Sequence, residues 1–191
     1  MPAYFALGAN LPHDDIHPID LLHLAMIACG DKGVISAESS RYYITPAVPA
    51  GAGPDFVNAV VRSDTHMEPQ QIISRLHEVE ARFGRERTRR WGPRSLDLDL
   101  LAVDSQVHPD PETQSVWRCL PPERQMREVP GELILPHPRL AERAFVLVPW
   151  AEIAPGWRHP LTGRTVADML AALDPVDLEG IRPVFKDTAR E

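Results

Sequence analysis

Leucine and aspartate alternate in "SLDLDLLAV", Ser95 to Val103. A two-residue period fits an extended strand, in which Leu96, Leu98 and Leu100 point to one side and Asp97 and Asp99 to the other. The leucine side requires a core to pack against. The aspartate side sets two carboxylates roughly 6–7 Å apart, from about 3.3 Å per residue. Carboxylates so spaced can bracket two Mg²⁺ ions about 3.5–4 Å apart. Taken alone, the pattern is explained equally well by a solvated strand face.

The preceding segment shifts that balance. Six of the chain's 18 arginines fall within the 13 residues "RFGRERTRRWGPR", from Arg82 to Arg94. With only 2 lysines in the chain, arginine abundance follows from base composition and carries little; the clustering is what informs. The net charge is −7 over 191 residues, which argues against a general nucleic-acid or membrane surface, so the cluster acts locally on a small anion. Guanidinium forks match phosphate oxygens. Six like charges repel when no anion is present, and Gly84 and Gly92 offer places to bend. The expectation is therefore a loop that is open without an anion and closes over a polyphosphate.

Length and a hydrophobic content of 43% predict one domain over residues 1–191. "AYFALGAN" reads as a buried strand ending at Gly8, where backbone can approach a ligand or a neighbouring strand. Ile19, Leu22, Met26 and Cys29 repeat at helical spacing, with Pro18 in the first turn and Gly30 at the end. "GVISAESSRYYIT" and "PDFVNAVVRS" predict two strands joined by the loop "PAVPAGAGP". A helix carrying Ile72, Leu76, Val79 and Phe83 leads into the arginine segment. Gln106 to Glu132 is a polar, proline-rich excursion with a short helix after Pro121. "RAFVLVPWAEIAP" is a further apolar element, and Thr165 with Asp168 caps a last helix. The order βαββαβ predicts an α+β, ferredoxin-like sandwich with a mainly antiparallel sheet and helices on its faces.

Neither GxxxxGK[ST] nor GxGxxG occurs, so a nucleotide would be held by side chains and metal. His13 and His17 form an HxxxH, but His17 precedes Pro18, which disfavours a shared helical face, so both are expected at the surface. Cys29 and Cys119 are far apart and suit a reducing cytoplasm. The start lacks a basic region, and apolar runs are too short to span a bilayer. Phe56 and Asn58 share one face of a strand, where a ring can stack on a heterocycle and an amide can read its edge; a core Phe beside a structural Asn accounts for them as well.

"RWGPRSLDLDLL" closely resembles the signature of the 6-hydroxymethyl-7,8-dihydropterin pyrophosphokinase family of the folate pathway. "AYFALGANL", "YYITPAVPAGAGPDFVNAVV" and "LILPHPRLAERAFVLVPWAEIAP" are similar to three other blocks of the family, in the same order. The resemblance implies that Asp97 and Asp99 hold two Mg²⁺ ions and that Arg85 and Arg94 stabilise the transferring group. Arg87, Trp91, Arg94, Leu100, His137 and Arg143 would surround ATP. Gly8, Thr45, Pro46, Val48 and Asn58 would meet the pterin, between Phe56 and Phe145. The family's usual GSN is GAN here, with Ala9 lacking the hydroxyl, and Phe56 replaces a frequent tyrosine. The implied reaction passes the β,γ-diphosphate of ATP to the pterin hydroxymethyl group and releases AMP, in a cytoplasmic monomer. A nucleotidyltransferase, which would release pyrophosphate, and a non-catalytic nucleotide sensor are the alternatives.

Overall fold

The computed structural model describes residues 1–47, 53–84 and 95–184. β1 (Pro2–Ala9) lies between β4 (Phe56–Asp64) and β5 (Asp97–Val103) and is antiparallel to both. β3 (Tyr43–Thr45) pairs with β4 and with β6 (Arg182–Pro183), and β2 (Ser36–Ser39) also pairs with β4. The order β5-β1-β4-β3-β6, antiparallel at every pairing, is the α+β sheet expected of a βαββαβ chain. The second expected strand is divided. Ser40 donates its N–H to the Val60 carbonyl and accepts the Val60 N–H on its hydroxyl at 3.0 Å. A side chain thus stands in for a main-chain acceptor, and β2 and β3 separate around it.

Two helices cover the leucine side of β5. α1 (Pro18–Asp31) buries Leu21, Leu22, Ala25, Ala28 and Cys29. It continues through Gly30, the expected stop, and the left-handed residue beyond it is Gly33, at φ 83°. α2 (Pro69–Arg82) starts with Pro69 in its first turn, and the Gln71 side chain accepts the Glu68 N–H at 3.0 Å. Its residues Ile72, Leu76 and Val79 are buried with Phe5, Leu7, Leu96, Leu98 and Leu100 in one core, as the helical and strand periods predict.

The opposite side carries a second core of Tyr4, Val60, Leu101, Val146, Leu147, Trp150 and Met169. "RAFVLVPWAEIAP" forms α5 (Ala144–Ile153), which packs there with α6 (Val166–Ala171). Trp150 and Trp157 stack with ring centroids 4.8 Å apart. The expected cap of α6 is present, with Thr165 Oγ1 accepting from Asp168 N at 3.0 Å and Asp168 Oδ2 accepting from Thr165 N at 2.9 Å. The polar excursion holds α3 (Pro111–Arg118) as well as α4 (Pro122–Arg127). α3 was not evident from periodicity; its signal is Asp110 before Pro111, since Asp110 Oδ1 accepts the Thr113 N–H at 2.9 Å.

Candidate active site

Strand register aligns the site. Asp97 lies opposite Gly8, Gly8 opposite Asn58, and Asn58 opposite Tyr43, so one rank crosses four strands. Asp99 lies opposite Ala6 in a parallel rank, and Thr45 lies opposite Phe56. Because directly paired residues share a face, Asp97, Asp99, Gly8, Asn58, Phe56 and Thr45 all lie on the side away from α1 and α2.

Asn58 and Thr45 are both buried, and Asn58 Nδ2 donates to Thr45 Oγ1 at 2.7 Å. The other half of the amide extends over β1: a Cβ added at Gly8 would sit 2.7 Å from Asn58 Oδ1. Glycine is required at position 8 by that approach. Phe56 is half-buried and Phe145 exposed. Pro46 is exposed and packs on Gly180, where a Cβ would meet its Cγ at 2.7 Å.

β5 is an edge strand, and its open side is met at two points. Glu80 of α2, buried, accepts the Leu98 N–H on Oε1 at 2.8 Å. His137 donates its main-chain N–H to the Leu101 carbonyl at 2.8 Å. The first bond fixes the peptide unit that joins Asp97 to Leu98, and the second fixes the one that follows Leu101. Leu100 directs its side chain into the α1–α2 core, so a nucleotide could meet that residue only through its main chain.

Arg143, the residue before α5, donates from Nη1 to Asp99 Oδ2 at 3.0 Å, and its guanidinium carbon lies 5.6 Å from the Phe145 ring centroid. The His137 ring accepts the Arg139 N–H on Nδ1 at 3.2 Å, which leaves Nε2 as the protonated nitrogen of the neutral ring. Desolvation, and then the charges of Arg143 and Arg139, hold its pKa well below the usual histidine value. A neutral imidazole can donate from Nε2 without adding charge. The carboxylate pair is a hard-oxygen donor set suited to Mg²⁺, which takes one or two protein carboxylates and fills its other positions with phosphate oxygens and water. Among the described residues no group of three or more His, Cys, Asp or Glu is arranged to hold a metal ion.

Val48, Arg85, Arg87, Trp91 and Arg94, and with them the expected loop closure, lie outside the described residues. His13, expected at the surface, is half-buried: its ring lies against Gly84, where a Cβ would be 2.5 Å from Cε1, and meets Phe83 edge-on at 6.4 Å. His17 is exposed at the start of α1. Periodicity could not reveal Glu80, which falls on the apolar side of α2 as a carboxylate where an aliphatic residue would be expected.

The antiparallel sheet with helices on both faces defines an α+β sandwich. The family model of 7,8-dihydro-6-hydroxymethylpterin-pyrophosphokinase (HPPK) matches residues 4–155, and the chain belongs to that family. Two curated relatives are named 2-amino-4-hydroxy-6-hydroxymethyldihydropteridine pyrophosphokinase. That of Methylorubrum extorquens is 36% identical, over 94% of this chain and 98% of its own. That of Synechocystis sp. is 34% identical, over 90% of this chain and 76% of its own. A crystal structure of wild-type Plasmodium falciparum HPPK-DHPS shares the fold at a TM-score of 0.57 and 12% identity; 89% of this chain is covered, and it spans 44% of that one.

Proposed function

We propose that this chain transfers the β,γ-diphosphate of ATP to the hydroxymethyl oxygen of 6-hydroxymethyl-7,8-dihydropterin, giving the pterin diphosphate and AMP in tetrahydrofolate biosynthesis. The observation that carries the reading is the shared face of β5, β1 and β4, which sets Asp97 beside Gly8 and Asn58. On this reading the carboxylates would take the metal–phosphate end and Asn58 the heterocycle, and their adjacency supports a direct transfer between ATP and pterin.

Asp97 and Asp99 would hold two Mg²⁺ ions, which would supply charge compensation for the transferring group. Arg85 and Arg94 would stabilise that group, and Arg87, Trp91, Arg143, His137 and the main chain at Leu100 would receive ATP. Asn58 can donate and accept at once, matching the mixed edge of a pterin, with Thr45, Pro46, Val48 and Gly8 alongside and Phe56 and Phe145 on the two ring faces. The chain acts as a single-domain monomer in the cytoplasm. Among the described residues no helix is long and apolar enough to cross a membrane.

Incubation with Mg²⁺, 6-hydroxymethyl-7,8-dihydropterin and α-labelled ATP, read by mass spectrometry, tests the reading. Diphosphorylated pterin and labelled AMP are expected. Label appearing in the pterin product would establish nucleotidyl transfer instead.

A further inference from the structure

α3 presents only one buried residue to the protein, and that residue is polar: Gln114 is 0% exposed. An amide at the inward position of a short surface helix is costly to bury unless it is bonded. Gln114 Nε2 donates to the Pro136 carbonyl at 3.0 Å. The amide hydrogen of the same peptide unit belongs to His137 and is bonded to the Leu101 carbonyl at 2.8 Å. The peptide plane joining Pro136 to His137 is thus held at both ends, by the excursion on one side and by β5 on the other. One residue earlier, Leu135 exchanges both main-chain hydrogen bonds with His108, at 2.8 and 3.1 Å.

The following peptide is held as well, since the His137 carbonyl accepts the Leu140 N–H at 3.1 Å, and with both flanking planes held the direction of the His137 Cα–Cβ bond is set. The Nδ1 bond from Arg139 N then sets the ring, and Nε2–H has one direction in which to donate. We propose that Gln114 is a positioning residue for the nucleotide: the polar excursion orients His137 through the Pro136–His137 peptide. This rests on the assignment of His137 to the ATP side of the site. Simple anchoring of the excursion to the domain is the competing account, and it predicts no preference between substrates.

Gln114→Met keeps an unbranched side chain of similar length and removes the donor. Three measurements on the full chain separate the accounts. Steady-state kinetics should show the KM for ATP raised roughly three- to tenfold, the worth of one neutral hydrogen bond, with kcat and the KM for the pterin within about twofold. Nitrogen-15 spectra of the His137 ring should show a single Nε2–H tautomer in the wild type and a mixture in the variant. A non-hydrolysable ATP analogue with Mg²⁺ should move the His137 ring signals of the wild type. Equal rises in both KM values, or an unchanged His137 ring in the variant, overturn the positioning role while leaving the ATP assignment standing. Wild-type ring signals that ignore the nucleotide overturn that assignment, and the proposal with it. Should Gln114→Met prove unstable at the assay temperature, Gln114→Leu, which likewise cannot donate, is measured in the cold and judged by the same outcomes.

Discussion

Arg143 Nη1 stands 3.0 Å from Asp99 Oδ2, with its guanidinium carbon 5.6 Å from the Phe145 ring. One side chain therefore links the acidic pair to an aromatic ring assigned to the pterin. Oxygen lone pairs engaged by a guanidinium are less available to a cation, so Arg143 and a metal ion compete for Asp99. Both side chains retain solvent access, 19% for Arg143 and 36% for Asp99, so the competition is modest. Arg143→Gln should tighten binding of Mn²⁺ alone roughly three- to tenfold, about 1 kcal/mol, while weakening ATP. Electron paramagnetic resonance titration of free Mn²⁺ reads the first effect and equilibrium dialysis the second; unchanged Mn²⁺ affinity would remove the competition.

The carboxylates themselves should matter far more. Asp97→Asn or Asp99→Asn is expected to lower turnover by on the order of a thousandfold or more, since a lost metal ligand removes several kcal/mol of transition-state stabilisation. Folding should survive, because relieving repulsion between neighbouring carboxylates seldom destabilises. Thermal unfolding followed beside the assay distinguishes the two effects, and near-normal turnover in either variant would sink the two-metal assignment.

Gly8 and Asn58 make a paired prediction. Gly8→Ala would put a methyl group 2.7 Å from Asn58 Oδ1, so the amide must shift and its 2.7 Å bond to Thr45 is disturbed. Asn58→Leu removes the amide outright and leaves Thr45 and ring groups unpaired, at about 1–3 kcal/mol. Both substitutions should weaken pterin binding more than ATP binding in calorimetric titrations. Equal loss of both ligands would point to misfolding.

His159 makes a prediction about acid. It is 2% exposed, and burial, then the Arg118 charge, push its pKa down from 6.5 to about 4. Between those values the unfolded chain binds a proton that the folded chain refuses, so stability is full above about pH 6.5 and falls as the pH drops toward 4. The loss attributable to this group is up to about 3 kcal/mol. His137 acts in the same direction. Urea unfolding at pH 7 and near pH 4.5 should show a smaller difference in His159→Gln than in the wild type; an identical difference would clear His159 of the effect.

Local repetition made much of this legible from the chain. The Leu/Asp alternation of β5 specified both its face toward the core and its face toward the site, and the Thr165/Asp168 pair announced α6, because each signal lies within a few residues of its consequence. What escaped depends on contacts across the fold. The division of β2 from β3 needs the Ser40 hydroxyl to meet Val60, 20 residues away. Arg143 reaches Asp99 across 44 residues. α3 is short and polar, so periodicity was silent, although Asp110 and Pro111 carried its start. His13 looked like a solvent-facing residue until Gly84 and Phe83 came up against it.

β5, the strand that bears both aspartates, is the outermost of its sheet on that side, and a bare outer strand invites pairing with another chain. Here the Leu98 N–H is taken by Glu80 and the Leu101 carbonyl by His137. Two of the groups that a foreign strand would use are already satisfied, one by a buried side chain that an incoming backbone would have to displace. The Glu80 contact that holds the peptide after Asp97 therefore also guards this edge against strand addition, and a protein weakened at Glu80 should become prone to aggregate as well as slow to turn over.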